Sequence, residues 1–274
     1  LFQHKAIITL TGLPAQNIMG MGTRGIMVMD GKLEIHAVSP SIKQTKINNH
    51  VAHGANQMEL IESVSWQVSD EIVLAPTDYY MAGNATSQSQ KLTLTSIQGN
   101  QLSVQETIPA FRWGLLQYPT TSGISLSPDN LVTPPAADTE ERKTPLVLDE
   151  RAEVGHLTRR VVVQSINDEN WNAQGFGAHI MIMGFEAQAH LNGVEIKRGG
   201  QRGRLGRYPM HWHNLSYSGT QRLNDATGQY FQNSVVNQSA NRGVVIHGTN
   251  GLLIQDNIVF DVEGHGIFTE DAVE

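Results

Sequence analysis

The chain has 274 residues, of which 39% are hydrophobic and 16% charged, with 26 glycines and a formal net charge of -7. That length allows one large or two modest domains, and the negative balance argues against a nucleic-acid partner. The lack of cysteine excludes disulfides, thiolate metal sites and cysteine nucleophiles. No apolar run approaches the roughly 20 residues of a membrane span. The sequence begins at Leu1 without a signal-peptide pattern. Basic residues cluster only between Lys197 and Arg207, where a solvated loop competes with an anion-facing surface.

Residues 1–110 read as β throughout. Lys5–Leu10 (KAIITL) is a strand, and Gly25–Ile35 (GIMVMDGKLEI) reads as a hairpin around an Asp-Gly turn. Glu71–Ala75 is a further strand, and Lys91–Ile97 and Gln101–Gln105 flank a Gly99-Asn100 turn. No amphipathic helix is evident. These runs predict a compact β-sandwich or barrel-like domain over 1–110. Residues 111–146, rich in Pro, Thr and Ser, read as a long surface connection. Short apolar runs from Leu146–Leu148 onward predict a right-handed parallel β-helix over 147–274, so that the fold class is all-β.

The register of that β-helix can be read directly. With an offset of 23 residues, Ser234-Val235-Val236 falls on Asn257-Ile258-Val259, Arg242 on His265, and His247 on Glu270. Residues one period apart in a parallel β-helix stack about 4.8 Å apart. Aligning Met210 with Val244 places His213 above His247 at a spacing of 34, which requires an insertion, assigned to Asn214–Gly228. Asn233, Asn241, Asn250 and Asn257 read as turn-ladder residues. Sequons at Asn84, Asn214 and Asn237 occur at about the frequency expected by chance in an Asn-rich chain.

Gly25–His36 with Ser65–Tyr79 resembles the eight-glycine (G-eight) domain, and the similarity continues through Arg151–Gln164, Gly177–Met183, Gly206–His213, Val245–Asn257 and Gly264–Glu274. The chain therefore resembles the family that joins this domain to parallel β-helix repeats, as in cell-surface hyaluronidase, the cell-migration-inducing hyaluronan-binding protein and the fibrocystins. The resemblance implies an extracellular or cell-surface setting; against the family pattern the eight-glycine domain looks cut short, its opening strands falling before Leu1, and the β-helix stops at Glu274 where family members continue for further coils. Departures include Trp212 between the two histidines and Ala272 after Glu270-Asp271. Hyaluronan cleavage does not transfer on framework alone.

Strand alternation sends His211, His213, Val245, His247, Phe268 and Glu270 to one face and Trp212 to the other. His211, His213, His247 and Glu270 are thus candidate ligands for a divalent metal, zinc or another transition metal, since imidazole with carboxylate suits these better than calcium. His179 is a weaker candidate. His247, Glu270 and Asp271 are the candidate catalytic residues, with Glu270 as general acid and His247 as base or orienting group in a metal-free version, while His211 and Asp271 are candidates for a further ligand or for a partner that orients one. Alternation opposes Glu270 and Asp271 as a working carboxylate pair, and Glu274 is the other acidic candidate. Arg207, Arg242, His265 and Arg160 are candidate contacts to an acidic saccharide, with Arg159 weighed beside Arg160. Tyr208 and Trp212 are read as sugar platforms or, with more support for Trp212, as core.

The function expected is that of an extracellular carbohydrate-active protein acting on or binding an acidic, hyaluronan-like polysaccharide, with a glycoside hydrolase as the enzyme reading. Two alternatives stand beside it. One is a non-catalytic glycan-binding or adhesion module. The other is a structural β-helix that self-associates through its open ends.

Overall fold

The computed structural model describes residues 1–78, 89–133, 145–218, 221–222 and 224–271. Tyr79, Asn84, Ala272, Glu274 and much of the 111–146 connection lie outside them. The chain separates into two compact units, one built from Leu1–Pro40 with Leu157–Glu274 and the other from Ser41–His156. This division differs from the expected boundaries near 110 and 147. The reason lies in strand pairing: Ala6–Leu10, Gly25–Val28 and Gly31–His36 pair in parallel with Val161–Ser165, His179–Met183 and Ala187–Asn192. The first 40 residues are therefore the opening coil of the β-helix, and the second unit is inserted in sequence between that coil and the next.

The same pairing replaces the hairpin expected over Gly25–Ile35. Asp30-Gly31 turns a corner between two different sheets instead of reversing the chain, with Gly31 at φ +97°. Glycine is the residue that tolerates that backbone without steric cost.

The β-helix has three parallel sheets, and successive coils visit them in the same order. The first holds Ala6–Leu10, Val161–Ser165, Val194–Gly199, Val235–Ser239 and Ile258–Val262. The second holds Gly25–Val28, His179–Met183, Met210–His213, Val244–His247 and Ile267–Glu270. The third holds Gly31–His36, Ala187–Asn192, Tyr230–Gln232 and Leu253–Gln255. The 23-residue and 34-residue offsets are both realised: Val244 pairs with Ile267, and Met210 with Val244.

Inward side chains stack in apolar columns. Val163, Ile196, Val236 and Val259 form one. Ile182, Trp212 and Ile246 form another, and Ile35, Leu191, Phe231 and Ile254 a third. β-Branched and aromatic residues suit this pleated, doubly covered position. Trp212 is fully buried, and its indole N–H donates to Gln229 Oε1 at 3.0 Å. The Gln229 amide also accepts from Ala189 N and donates to the Ala187 carbonyl, so this buried polar group is satisfied. Trp212 is thus core and not a sugar platform.

One short helix, Glu169–Gln174, was not expected. Asp168 caps its N-terminus by accepting from Trp171 N, and Gly175 ends it in the left-handed region. Asp168 also receives Arg24 Nη2 at 2.6 Å, which ties the opening coil to this helix and holds the Asp168 carboxyl down at about 2.

The second unit is antiparallel. Its strands run in the order Gln44–Lys46, Glu153–His156, Glu71–Leu74, Gln90–Gln98, Gln101–Val104, Gln57–Glu59. A bridge between Ile47 and Leu60 joins the two outer strands, closing a small barrel around Ile72, Leu74, Leu92, Leu94 and Val154. Within 111–146, Tyr118–Thr120 and Gly123–Ser125 form a hairpin where a connection without periodic structure was expected.

Replacing Trp212 with Ala removes a fully buried indole from a coil with strands stacked on both sides. The expected cost is about 3–5 kcal/mol, read as a lowered urea midpoint for the unit that contains the β-helix. A loss below about 1 kcal/mol would contradict the packing described.

Candidate metal centre

The outer face of the second sheet positions the site. Met210–His213 pairs with Val244–His247, which pairs with Ile267–Glu270, so that His213, His247 and Glu270 are in register on adjacent strands. His211, Val245 and Phe268 form the neighbouring column. Among the described residues, the ring nitrogens of His211, His213 and His247 offer one ligand atom each within 4.8 Å of one another.

Each ring is oriented by a different partner. His211 is 1% exposed, and its Nδ1 lies 2.9 Å from the Gly206 carbonyl. A carbonyl only accepts, so Nδ1 carries the proton and Nε2 presents a lone pair. That Nε2 is buried without a hydrogen-bond partner. His247 Nε2 lies 2.9 Å from Asp271 Oδ2, which puts its proton on Nε2 and leaves the lone pair on Nδ1. That Nδ1 sits 2.9 Å from His213 Nδ1. Imidazoles whose remote nitrogen donates to a carbonyl or carboxylate are the usual metal-ligating arrangement.

Charge state follows from the same surroundings. Burial pushes His211 down to about 3, with the Gly206 carbonyl opposing and Arg242 adding a positive neighbour. Burial and then His247 lower His213, while Glu270 works the other way. Two of the three rings are therefore held neutral, the form in which imidazole binds a metal. The donor set fits a transition metal: nitrogen ligands, fixed tautomers and an orphaned lone pair that a cation would satisfy.

The structure arranges the two acidic residues differently from the sequence expectation. Glu270 stacks beside His247, but its Oε2 accepts from Arg242 Nη1 at 2.9 Å, and it is not one of the three grouped ligands. Asp271 does not simply point to the opposite face. Its φ of 52° places it in the left-handed region, and the turned backbone brings its carboxylate to His247. Period-two alternation assumes an extended residue, and Asp271 is not one.

Arg242 spans the rest of the face. Its guanidinium lies 4.0 Å from the Phe268 ring centroid and 5.4 Å from that of Tyr208, whose hydroxyl accepts from Nη1 at 3.3 Å. Tyr208 is 1% exposed and packs edge-on against His211, so it walls the site instead of presenting a platform. His265 is exposed and rests on Phe268. Arg207 is turned to Gln201 Oε1 at 2.8 Å. Arg160 is exposed at the entry to the first sheet, away from this face, and its carbonyl accepts from Ala6 N. Arg159 is buried and donates Nε to the Asn233 carbonyl. His179 lies on the second sheet two residues ahead of Met181, the partner of His211, and stands outside the group of three. The asparagines mostly close turns: Asn233 donates to Asn192, Asn257 to the Phe231 carbonyl and Asn241 to the Gln201 carbonyl. Asn237 is fully buried and donates to Glu195, which removes it as a glycosylation acceptor.

The tautomer of His211 was not legible in the sequence. Gly206 is the available signal, since the bend at φ +82° turns its carbonyl toward a histidine five residues on.

These features can be set beside known proteins. Residues 175–274 match the family model "CEMIP beta-helix". Human fibrocystin-L is 28% identical over 310 aligned residues, covering 100% of this chain and 7% of that protein. Human cell surface hyaluronidase CEMIP2 is 32% identical over 273 residues, covering 93% of this chain and 17% of that protein. Protein rliB of Dictyostelium discoideum is 26% identical over 254 residues, covering 92% and 18% respectively. The chain thus spans under a fifth of each of these relatives. Together with the parallel β-helix, the matches support a G8- and CEMIP-like family.

His179 and His211 are held at about 4 and about 3 against an ordinary value of 6.5. The unfolded chain takes up these protons at its ordinary value and the folded chain does not. Folding stability of chelator-treated protein is therefore complete above about pH 6.5 and is lost as pH falls toward the folded values. The slope approaches about 1.4 kcal/mol per pH unit for each histidine. Urea midpoints measured from neutral pH down to about pH 4 check this, and a flat profile would contradict it.

Proposed function

We propose that the outer face of the second sheet binds a divalent transition metal through His211, His213 and His247 and acts on an acidic, hyaluronan-like polysaccharide at the cell surface or outside the cell. The observation that carries this reading is the buried, unpartnered Nε2 of His211 facing two further imidazoles. The hyaluronidase name of a relative 32% identical to the chain supports the substrate class. Among the described residues no helix is long and apolar enough to cross a membrane.

A bound metal would supply Lewis acidity and a water of lowered pKa. The chain's own residues do the rest. Gly206 and Asp271 hold two rings in the ligating tautomer. Tyr208 covers His211 on one side and limits access of bulk water. Arg242 carries the positive charge nearest the site, and a substrate carboxylate would compete with Glu270 for it. Asp271, 80% exposed and hydrogen-bonded to His247, is placed to exchange a proton with a group bound at the open side.

The engagement of Glu270 by Arg242 favours a second reading in one respect. A hydrolase using a pair of carboxylates needs both free, and this ion pair occupies one of them. A glycan-binding module with a structural metal would place no such demand on Glu270.

Purified protein is expected to carry about one transition-metal ion per chain, and the His213→Ala/His247→Ala double variant is expected to carry none. Asp271→Asn is expected to weaken metal affinity by about 10- to 100-fold. Elemental analysis and chelator competition check both. Equal metal content in wild type and double variant would overturn the metal reading. With metal present, size analysis of hyaluronan after incubation separates the enzyme from the binder. New chain ends that vanish in the double variant support the enzyme, and saturable binding without shortening supports the second reading.

A further inference from the structure

A cavity of about 740 Å³ lies at the opening coil, and none of the three grouped histidines lines it. Four of the chain's nine methionines line it, Met19, Met21, Met27 and Met29, together with His179 and Asp30. The spacing is Met-x-Met twice within eleven residues, Met19 to Met29. Met21 and Met27 are half-buried, whereas Met19 and Met29 are 79% and 44% exposed at the mouth.

His179 forms the floor. It is 1% exposed, and neither ring nitrogen makes a hydrogen bond of normal geometry, although the backbone at Thr23 and Met21 is near enough to favour its charged form slightly. Its ring lies directly over Gly25, where an added Cβ would come within 2.4 Å of Cε1 and 2.5 Å of Nε2. Gly25 therefore admits the imidazole to the strand that carries Met27 two residues on, and alternation sends Met27 to the same side. Met21 lines the same cavity from the wall formed by the loop before that strand.

That wall is built, not draped. Arg24 donates to Asp168, to the Phe176 carbonyl and to the Gly12 carbonyl. Gln201 Nε2 donates to the Thr23 carbonyl at 2.8 Å, and Asn17 Oδ1 accepts from Gly22 N. Arg207 packs its guanidinium on Gly22 and is the positive group felt by His179, with Asp30 the acidic residue on the lining.

Thioethers are soft, polarisable, neutral ligands, and imidazole is borderline. In a chain without cysteine, a neutral sulfur and nitrogen set in a mainly apolar cavity selects a soft monovalent cation over a hard or divalent one. A single charge also meets less repulsion from Arg207. From this geometry we propose that His179, Met21 and Met27, with Met19 and Met29 at the mouth, form a second cation site that takes Cu(I), independent of the three-histidine centre.

The test uses Ag(I), a redox-inert probe of the same softness, with the full chain. Titration calorimetry is run on wild type, on His213→Ala/His247→Ala and on Met21→Leu/Met27→Leu, a volume-conserving change. The expected result is one tight Ag(I) site that persists in the histidine variant and weakens at least tenfold in the leucine variant. Methionine-methyl NMR is expected to show the Met21 and Met27 signals shifting on addition of Ag(I). His179→Gln, read by the same titration, is expected to weaken the site as well. Three results would each overturn the proposal: no Ag(I) binding at micromolar concentration, binding lost with His213 and His247, or binding unchanged by the leucine substitutions. Survival of the three-histidine site in the leucine variant, read by divalent-metal content, shows that the fold is intact and keeps the two sites' outcomes separate.

Discussion

Parallel in-register pairing of successive coils is the constraint on which the rest of this molecule depends. It places residues from distant parts of the chain about 4.8 Å apart on a common face. The pairing of His213 with His247 and of His247 with Glu270 follows from the backbone register of adjacent strands. Apolar columns on the inner side hold that register, because a slip of one residue would carry Trp212 and Ile246 outward and the histidines inward. The chemistry on the outer face thus rests on the packing of the inner one.

Upon that backbone, the site is completed by departures from regular strand. Gly206 bends the chain before Met210–His213 and presents its carbonyl to His211. Asp271 leaves the extended region after the last strand and reaches back to His247. Neither residue is among the three grouped donors, yet each fixes which nitrogen of its histidine carries the proton. Arg242 draws Glu270 aside, so that the grouped donors are three nitrogens and no carboxylate. Arrangement and charge agree here, since burial favours the neutral ring in His211 and His213.

Much of this was legible in the sequence because it is periodic. The 23-residue offset gives the pairing of the last two coils, and the insertion after His213 follows from the 34-residue spacing. What could not be read has a physical reason in each case. The opening coil is separated from the second by residues 41–156, so no short period connects Gly25 to its partner His179. The Asp30-Gly31 corner looks locally like a hairpin, and only the distant partner strands decide otherwise. Alternation sends Asp271 to the face opposite Glu270 and the histidines, because it assumes an extended residue and Asp271 is left-handed. The short helix at Glu169–Gln174 is too brief for its periodicity to show, and its Asp168 cap is fixed by Arg24 from far away in the chain. Local pattern reveals the repeat; the turns and pairings that shape the site are set by tertiary contacts.

The central claim is that a metal ion is held by three imidazoles contributed from two stacked coils. X-ray absorption at the edge of the metal that co-purifies with the chain addresses it most directly. The account predicts a first shell with three nitrogen neighbours showing imidazole multiple scattering, at about 2.0–2.1 Å if the ion is zinc. A shell of oxygen ligands alone, or a spectrum unchanged in His213→Ala/His247→Ala, would contradict it.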